Sequence, residues 1–359
     1  MSVGRVRRIG RTRGLRQNLM LLGGAAVVLG IAVPVILMTV QRSAVKRTRV
    51  AHPAPGRVVS VQGYGTHLNC LGEADTGSPT IVLEADHGDF TLDWVGVHVR
   101  LAERYRVCAY DRAGYAWSDP RPGPRDAAHV GDELRLALRA AEETSPIVLV
   151  GHGLGGVYAR YYAASWPDEV AGLVLVDPLT DYVHSDAYQQ SQRGFLSSYE
   201  MTRFFVGSGL RRALAPILRD RALPPAARVL TSDLQAAYSA FLSDLTTYDT
   251  AVAELSAAAN SVDQASAARG EPPALGTLPL VVLTASQTSP PGRGPDAAPT
   301  LPADESVVKL QGELARHSSV GERRMLGRSG HLVQLDEPEA IISAVDDVYA
   351  AATVGASLR

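Results

Sequence analysis

From residue 57 onward, short apolar runs alternate with longer segments whose apolar residues fall three and four positions apart. Residues 57–62, 67–71, 80–83 and 105–110 are brief and alternating or apolar throughout, which predicts strands. Glycine-rich turns at 63–65 and 72–77 separate the first three and suit hairpins. Residues 92–104 and 126–141 carry helical spacing. A strand at 147–150, a helix at 156–165 and a strand at 171–176 then set up a β-α-β rhythm, the pattern of a parallel sheet covered on both faces. Residues 182–265 break it. They hold helical patterns at 194–205, 210–218 and 234–247 and no convincing strand, which predicts an inserted helical cap. The rhythm resumes with a strand at 280–283, a Pro/Gly-rich loop over 289–302 and a helix near 304–316. A strand near 323–326 and a helix over 338–351 complete it, and no internal repeat is visible.

The N-terminal part follows a different pattern. Six arginines (Arg5, Arg7, Arg8, Arg11, Arg13 and Arg16) precede an uncharged run over residues 19–40. As a helix that run reaches about 33 Å, enough to cross the hydrocarbon core. It is longer than the apolar part of a secretory signal, and residues 38–42 offer no small-residue cleavage site. Arg7-Arg8 fits a twin-arginine signal poorly. Only Arg42, Lys46, Arg47 and Arg49 follow the run closely, so the charge bias favours a cytoplasmic N-terminus and an extracytoplasmic globular part. The expected organisation is a basic segment (1–18), a single-pass anchor in the cell membrane (19–40) and a linker (41–56). An α/β core in two parts (57–181 and 271–352) then flanks a helical cap (182–270).

Charge narrows the function classes. The whole chain is nearly neutral, with 35 cationic and 37 anionic side chains. Ten of the cations lie in residues 1–50, where no Asp or Glu occurs, so the remainder carries 25 against 37. So acidic a globular part is ill suited to nucleic acid, which demands clustered positive charge. Cys70 and Cys108 are the two cysteines. In an exported domain they suggest a disulfide, in the cytosol two buried thiols. There is no metal-ligand spacing, P-loop or dinucleotide fingerprint, so neither metal nor cofactor is expected.

The most informative stretch is residues 147–156, IVLVGHGLGG. A strand running into this turn and then a helix is the context of the G-x-S-x-G nucleophile elbow, with Gly153 where the serine should stand. Four further blocks follow the same order: Leu83-Glu84-Ala85-Asp86-His87-Gly88, the Tyr110–Asp119 segment YDRAGYAWSD, Val176-Asp177-Pro178, and Gly330-His331. Together they resemble the α/β-hydrolase fold family over roughly residues 57–352. The resemblance implies a mostly parallel eight-stranded sheet with helices on both faces and an inserted helical cap. It also makes the strands of Cys70 and Cys108 neighbours, which favours the disulfide.

The resemblance assigns roles residue by residue. His331 falls at the general base, and Gly153 at the nucleophile position without an oxygen to attack. His87 and Leu154 would offer oxyanion-hole backbone N–H groups, while Gly151 and Gly155 allow the tight turn and His152 supports it. No carboxylate follows the strand at 280–283, so the orienting acid is expected at Asp177. Asp181 is a weaker candidate, and Asp296 comes too late unless its loop folds back. Asp86 and Asp89 depart from the small residues usual in the oxyanion loop. Facing inward they would oppose a developing negative charge, although loop aspartates more commonly face solvent. His67 and His98 read as structural. The expectation is a membrane-anchored protein without serine-hydrolase activity that keeps a capped pocket for a small, ester-like or apolar molecule. The alternative is a non-covalent hydrolase, lyase or cofactor-free enzyme built on a His331–Asp177 dyad.

Overall fold

The computed structural model describes residues 50–354 and Leu358, apart from 74, 76, 145, 212–213, 215–223, 270–273, 289–300 and 303, together with scattered positions from Asn18 to Arg47 and Thr48. The basic segment, parts of the 19–40 run, most of the helix expected at 210–218, and Asp296 lie outside the described residues. Among the described residues no helix is long and apolar enough to cross a membrane.

Eight strands form one sheet: β1 (Arg57–Val61), β2 (Tyr64–Leu71), β3 (Thr80–Glu84), β4 (Val107–Tyr110), β5 (Ile147–His152), β6 (Val170–Val176), β7 (Leu280–Ala285) and β8 (Glu322–Leu326). Their spatial order is β1-β2-β4-β3-β5-β6-β7-β8. β1 and β2 form a hairpin, β2 runs antiparallel to β4, and the other pairings are parallel. The expected hairpin between β2 and β3 does not form. The chain passes over β4's position instead, so β3 pairs in parallel with β4 and β5. Alternation alone cannot separate a hairpin from a crossover when the connecting loop is this long. Cys70 and Cys108 stand opposite each other on β2 and β4 and are joined by a disulfide.

Every residue of β3, β4, β5 and β7 is buried, which explains why they read as continuous apolar runs. Side chains alternate between two faces. Ile81, Leu83, Val148, Val150, Val174 and Val176 meet α1 (Val95–Leu101) and the C-terminal helix Pro338–Val354. Val82, Leu149, Leu173, Leu175 and Val282 meet α2 (Ala127–Ala140), α3 (Leu154–Ser165) and the helix Glu305–Ala315. Each fully buried aliphatic chain contributes roughly 1.5–3 kcal/mol of transfer energy, so these two layers carry the fold.

The cap comprises α4 (Asp186–Gly207), α5 (Ser232–Phe241), α6 (Leu245–Ser256) and α7 (Ala258–Arg269). The helix expected over 234–247 is broken at Asp244, whose side chain accepts from Thr246 N–H and starts α6. Such an N-cap satisfies an otherwise orphaned donor. Phe90 and Trp117 of the core pack on Tyr238 and Phe241 of α5, with ring centroids 4.7 Å apart in both pairs.

Candidate active site

The site lies where the parallel strands end and α3 begins, beneath the cap. β5 turns into α3 at Gly153, whose φ of 54° lies in the left-handed region that glycine adopts without strain. The turn is tight on both sides. A Cβ at Gly151 would lie 2.6 Å from the Gly155 carbonyl oxygen, and one at Gly155 would lie 2.4 Å from that of Ala85. The glycines therefore let the elbow press against the loop leaving β3.

That loop delivers Asp86. Its side chain is only 8% exposed, so the common solvent-facing fate of loop aspartates does not apply here. A Cβ placed on Gly153 would lie 2.4 Å from the Asp86 Cγ and Oδ1. The carboxylate thus fills the volume that a side chain at 153 would need. Leu154 N–H, the expected oxyanion donor, donates to Asp86 Oδ1 at 2.7 Å. At His87 the contact comes from the ring, where Nδ1–H donates to the same oxygen at 3.1 Å. The start of α3 adds the positive end of a helix dipole.

His331, on the loop after β8, joins Asp86 to a second carboxylate. Its Nε2–H donates to Asp86 Oδ2 at 3.0 Å and its Nδ1–H donates to Asp177 Oδ2 at 2.7 Å. Both ring nitrogens are donors, so the ring is an imidazolium. Burial alone pulls the His331 pKa down, but the hydrogen bonds to Asp177 and Asp86 and their charges outweigh it and raise it well above the usual value. Asp86 moves the other way. Burial disfavours its charge, but His87 and His331 overcome that and hold it well below the ordinary carboxylate range.

Neighbouring groups fix this chain of charges. Asp177 follows β6 directly with φ 40°, and its Oδ1 accepts from Gln311 Nε2–H at 3.0 Å and Ala285 N–H at 3.3 Å. Gln311 also donates to the Pro178 carbonyl, which leaves its buried Oε1 without a partner among the described residues. His152 Nε2–H donates to the His331 carbonyl at 2.7 Å. Burial, with the charge of His331 beside it, lowers the His152 pKa to about 4, so this ring is neutral. Asp86, His152 and His331 bring one polar atom each within 4.8 Å of one another. Since both His331 nitrogens carry protons, the cluster is arranged for proton placement.

The Asp86 loop is held from below by Arg112, in the YDRAGYAWSD segment. Its Nη1–H donates to the Ala85 carbonyl at 2.7 Å and its Nη2–H to the Asp86 carbonyl at 2.8 Å. The same guanidinium reaches Glu84 at 2.7 Å and Glu254 of α6 at 2.7 Å. Tyr115 Oη accepts from Gly88 N–H at 3.0 Å and donates to Glu254 at 2.9 Å. Sequence reasoning missed Arg112, Glu254 and Gln311 as members of the site. Arg112 lies within the family-like Tyr110–Asp119 segment, whereas Gln311 and Glu254 sit in helices of ordinary patterning.

Other candidates lie elsewhere. Asp181 opens an exposed turn. His67 pairs with Asp111 at 2.7 Å, and His98 reaches the Val107 carbonyl at 3.0 Å, both within the core. Over Asp86 and His331 opens a cavity of about 410 Å³, lined among others by Leu179, Tyr188, Phe195, Leu255 and Gln311. That is the size of a small-molecule site.

Comparison with known proteins agrees with this architecture. Residues 82–344 match the sequence profile of the Alpha/beta hydrolase family. An uncharacterized protein of Schizosaccharomyces pombe is 31% identical over 186 residues, 42% of this chain and 35% of that protein. An uncharacterized vacuolar membrane protein of Saccharomyces cerevisiae is 31% identical over 135 residues, 33% of this chain and 21% of its own length. The chain thus spans well under half the length of these relatives. Cfl2 from Burkholderia cenocepacia superposes with a TM-score of 0.59 at 22% identity, over 82% of this chain and 95% of that one. With the profile running from β3 to the last helix, through the elbow and the Asp177 strand end, this chain belongs to the alpha/beta hydrolase family.

Proposed function

We propose that this chain is a membrane-anchored, exported member of the family that has given up serine acyl transfer and takes a small, mainly apolar molecule into its capped pocket. The observation that carries this reading is the contact between two positions. Gly153 offers no nucleophilic oxygen, and the Asp86 carboxylate stands in the volume a side chain there would need, on the Leu154 N–H. An acyl substrate would need that N–H for its own oxyanion, and a carboxylate already holds it. The dyad alternative is less favoured, because a general base needs a free lone pair and both His331 nitrogens are donating. Support for the anchor comes from residues 19–40, where Met20, Leu21, Leu22 and Ile36 are exposed apolar side chains.

The test is hydrolysis of a p-nitrophenyl ester panel by the full-length chain, its Gly153→Ser variant and the double variant Asp86→Gly/Gly153→Ser. The expected result is no turnover by the wild type or by Gly153→Ser, since the new hydroxymethyl group would collide with Asp86. Esterase activity is expected only when Asp86 is also cleared. Turnover by the wild type, abolished by His331→Ala, would refute the reading.

A further inference from the structure

Resting on the reading of residues 19–40 as the anchor, we infer that the outer face of α4 is a second membrane contact, a lipid-docking surface in the headgroup boundary of the bilayer the anchor crosses. The spacing along α4 supports this. Gly194, Ser197, Ser198, Met201, Phe204 and Phe205 recur at helical intervals on one exposed face, and none carries a charge. Met201, Phe204 and Phe205 are 63%, 69% and 41% exposed. The charges of the same stretch fall to one flank, where Arg203 pairs with Glu200 at 3.2 Å and with Asp249 of α6 at 2.5 Å. On the inner face Val206 is buried, while Tyr188 and Phe195 line the cavity. A cap helix needs one apolar side to pack on its fold. This one has two, on opposite sides.

The chain itself indicates what meets the outer side. Gly209, two residues beyond the end of α4, is buried and lies against the anchor run. A Cβ there would stand 2.8 Å from the Leu37 carbonyl oxygen. Leu37 is three residues short of the end of that run, so it sits about 5 Å inside the level where the span ends. The end of α4 is thereby set at the membrane boundary. Arg42, Lys46, Arg47 and Arg49, which follow the run, suit the headgroup layer just outside. Val33, Val35, Ile36 and Val40 of the run are exposed in the same way as Met201 and Phe204. A helix at this level gains by sinking its apolar side about 5–10 Å into the boundary region, which removes that side from water. The anchor alone would leave the globular part free to turn on its linker. A second contact through α4 fixes its orientation, with the cavity directly behind the docked helix.

The test places a tryptophan in that face. Full-length Met201→Trp is reconstituted in phosphatidylcholine–phosphatidylglycerol vesicles, and the wild-type chain supplies the background of the three native tryptophans. Quenching of the new indole is read with lipids brominated near the headgroup end of the acyl chain and with acrylamide in the water. Flotation of the same vesicles reports the anchor separately. The expected result is flotation, with emission cut about twofold or more by the shallow bromolipid and little by acrylamide. Adding Phe204→Glu and Phe205→Glu should remove most of the lipid quenching at unchanged Tm, since both positions are exposed. A chain that floats while its new indole is open to acrylamide and untouched by bromolipid overturns the docking and leaves the anchor intact. An indole shielded from both quenchers also overturns it, because a protein surface such as a second copy then covers the face. Lipid quenching that survives the two glutamates would reject the apolar face as its cause. Failure to float removes anchor and docking together.

Discussion

Two arrays in this molecule have the same pattern, a cation held between two carboxylates. Arg112 bridges Glu84 and Glu254, and His331 bridges Asp86 and Asp177. They differ in access and in the cation. The side chains of Arg112, Glu84 and Glu254 are each no more than 1% exposed, whereas the His331 ring is 41% exposed to the pocket. A guanidinium keeps its proton at any physiological pH, while an imidazolium can release one. The first array, sealed around a cation that does not titrate, holds positions, and the second can also exchange protons with the pocket. Where the cation is placed matters less than whether it can titrate and what can reach it.

The largest effect should come from breaking the sealed array. Arg112→Leu strands two buried carboxylates and releases the Ala85 and Asp86 carbonyls, so a loss of about 3–5 kcal/mol is expected in urea unfolding. His331→Ala should cost about 1 kcal/mol or less, because its partners keep other donors and the pocket admits water. Equal losses in the two variants would erase the distinction.

Next comes the contact between Asp86 and Gly153. Gly153→Ala forces a side chain into the left-handed region and against a carboxylate, and should destabilise by about 1–3 kcal/mol from the backbone alone, with the collision added. In Asp86→Gly the same change should cost less. A double-mutant cycle with no coupling between the two positions would show that they do not share space.

The smallest effect is in pH. Because His331 has a raised folded pKa, its stabilisation is complete below about 6.5, its unfolded value, and is lost as pH rises through the folded pKa. Asp86, with a lowered pKa, contributes above about 3.9 and loses its contribution in stronger acid. Burial raises the Glu84 pKa to about 7, so its own titration adds a decline in stability that ends near neutrality. Between pH 7.5 and 9, Tm should therefore fall in the wild type and stay flatter in Asp86→Asn. Matching slopes would detach His331 from Asp86.

Much of this was legible in the residues, for physical reasons. Strands buried on both faces must be apolar throughout, and the elbow glycines follow from backbone packed against backbone. The β2–β3 connection was misread because alternation records burial and leaves the neighbour unspecified. The aim of Asp86 could not be read locally either. Its direction depends on the room left by a glycine far along the chain. The joint signal, a missing side chain at 153 and an extra one at 86, becomes meaningful only when the two positions are known to touch. Gln311 was hidden differently, since a single polar residue on the inner face of an amphipathic helix reads as an imperfection until its partners are seen.

The Arg112–Glu254 bridge also divides the cap mechanically. It bolts α6 to the core, and α6 buries Thr247, Tyr248, Thr250, Ala251, Glu254 and Leu255. α4 is nearly twice as long and buries only Val206 among its described residues. The cap is therefore stiff along one edge and compliant along the other, and thermal breathing should concentrate at α4. Amide exchange should be fast along α4 and slow along α6, and guests should pass over the pocket through that looser margin.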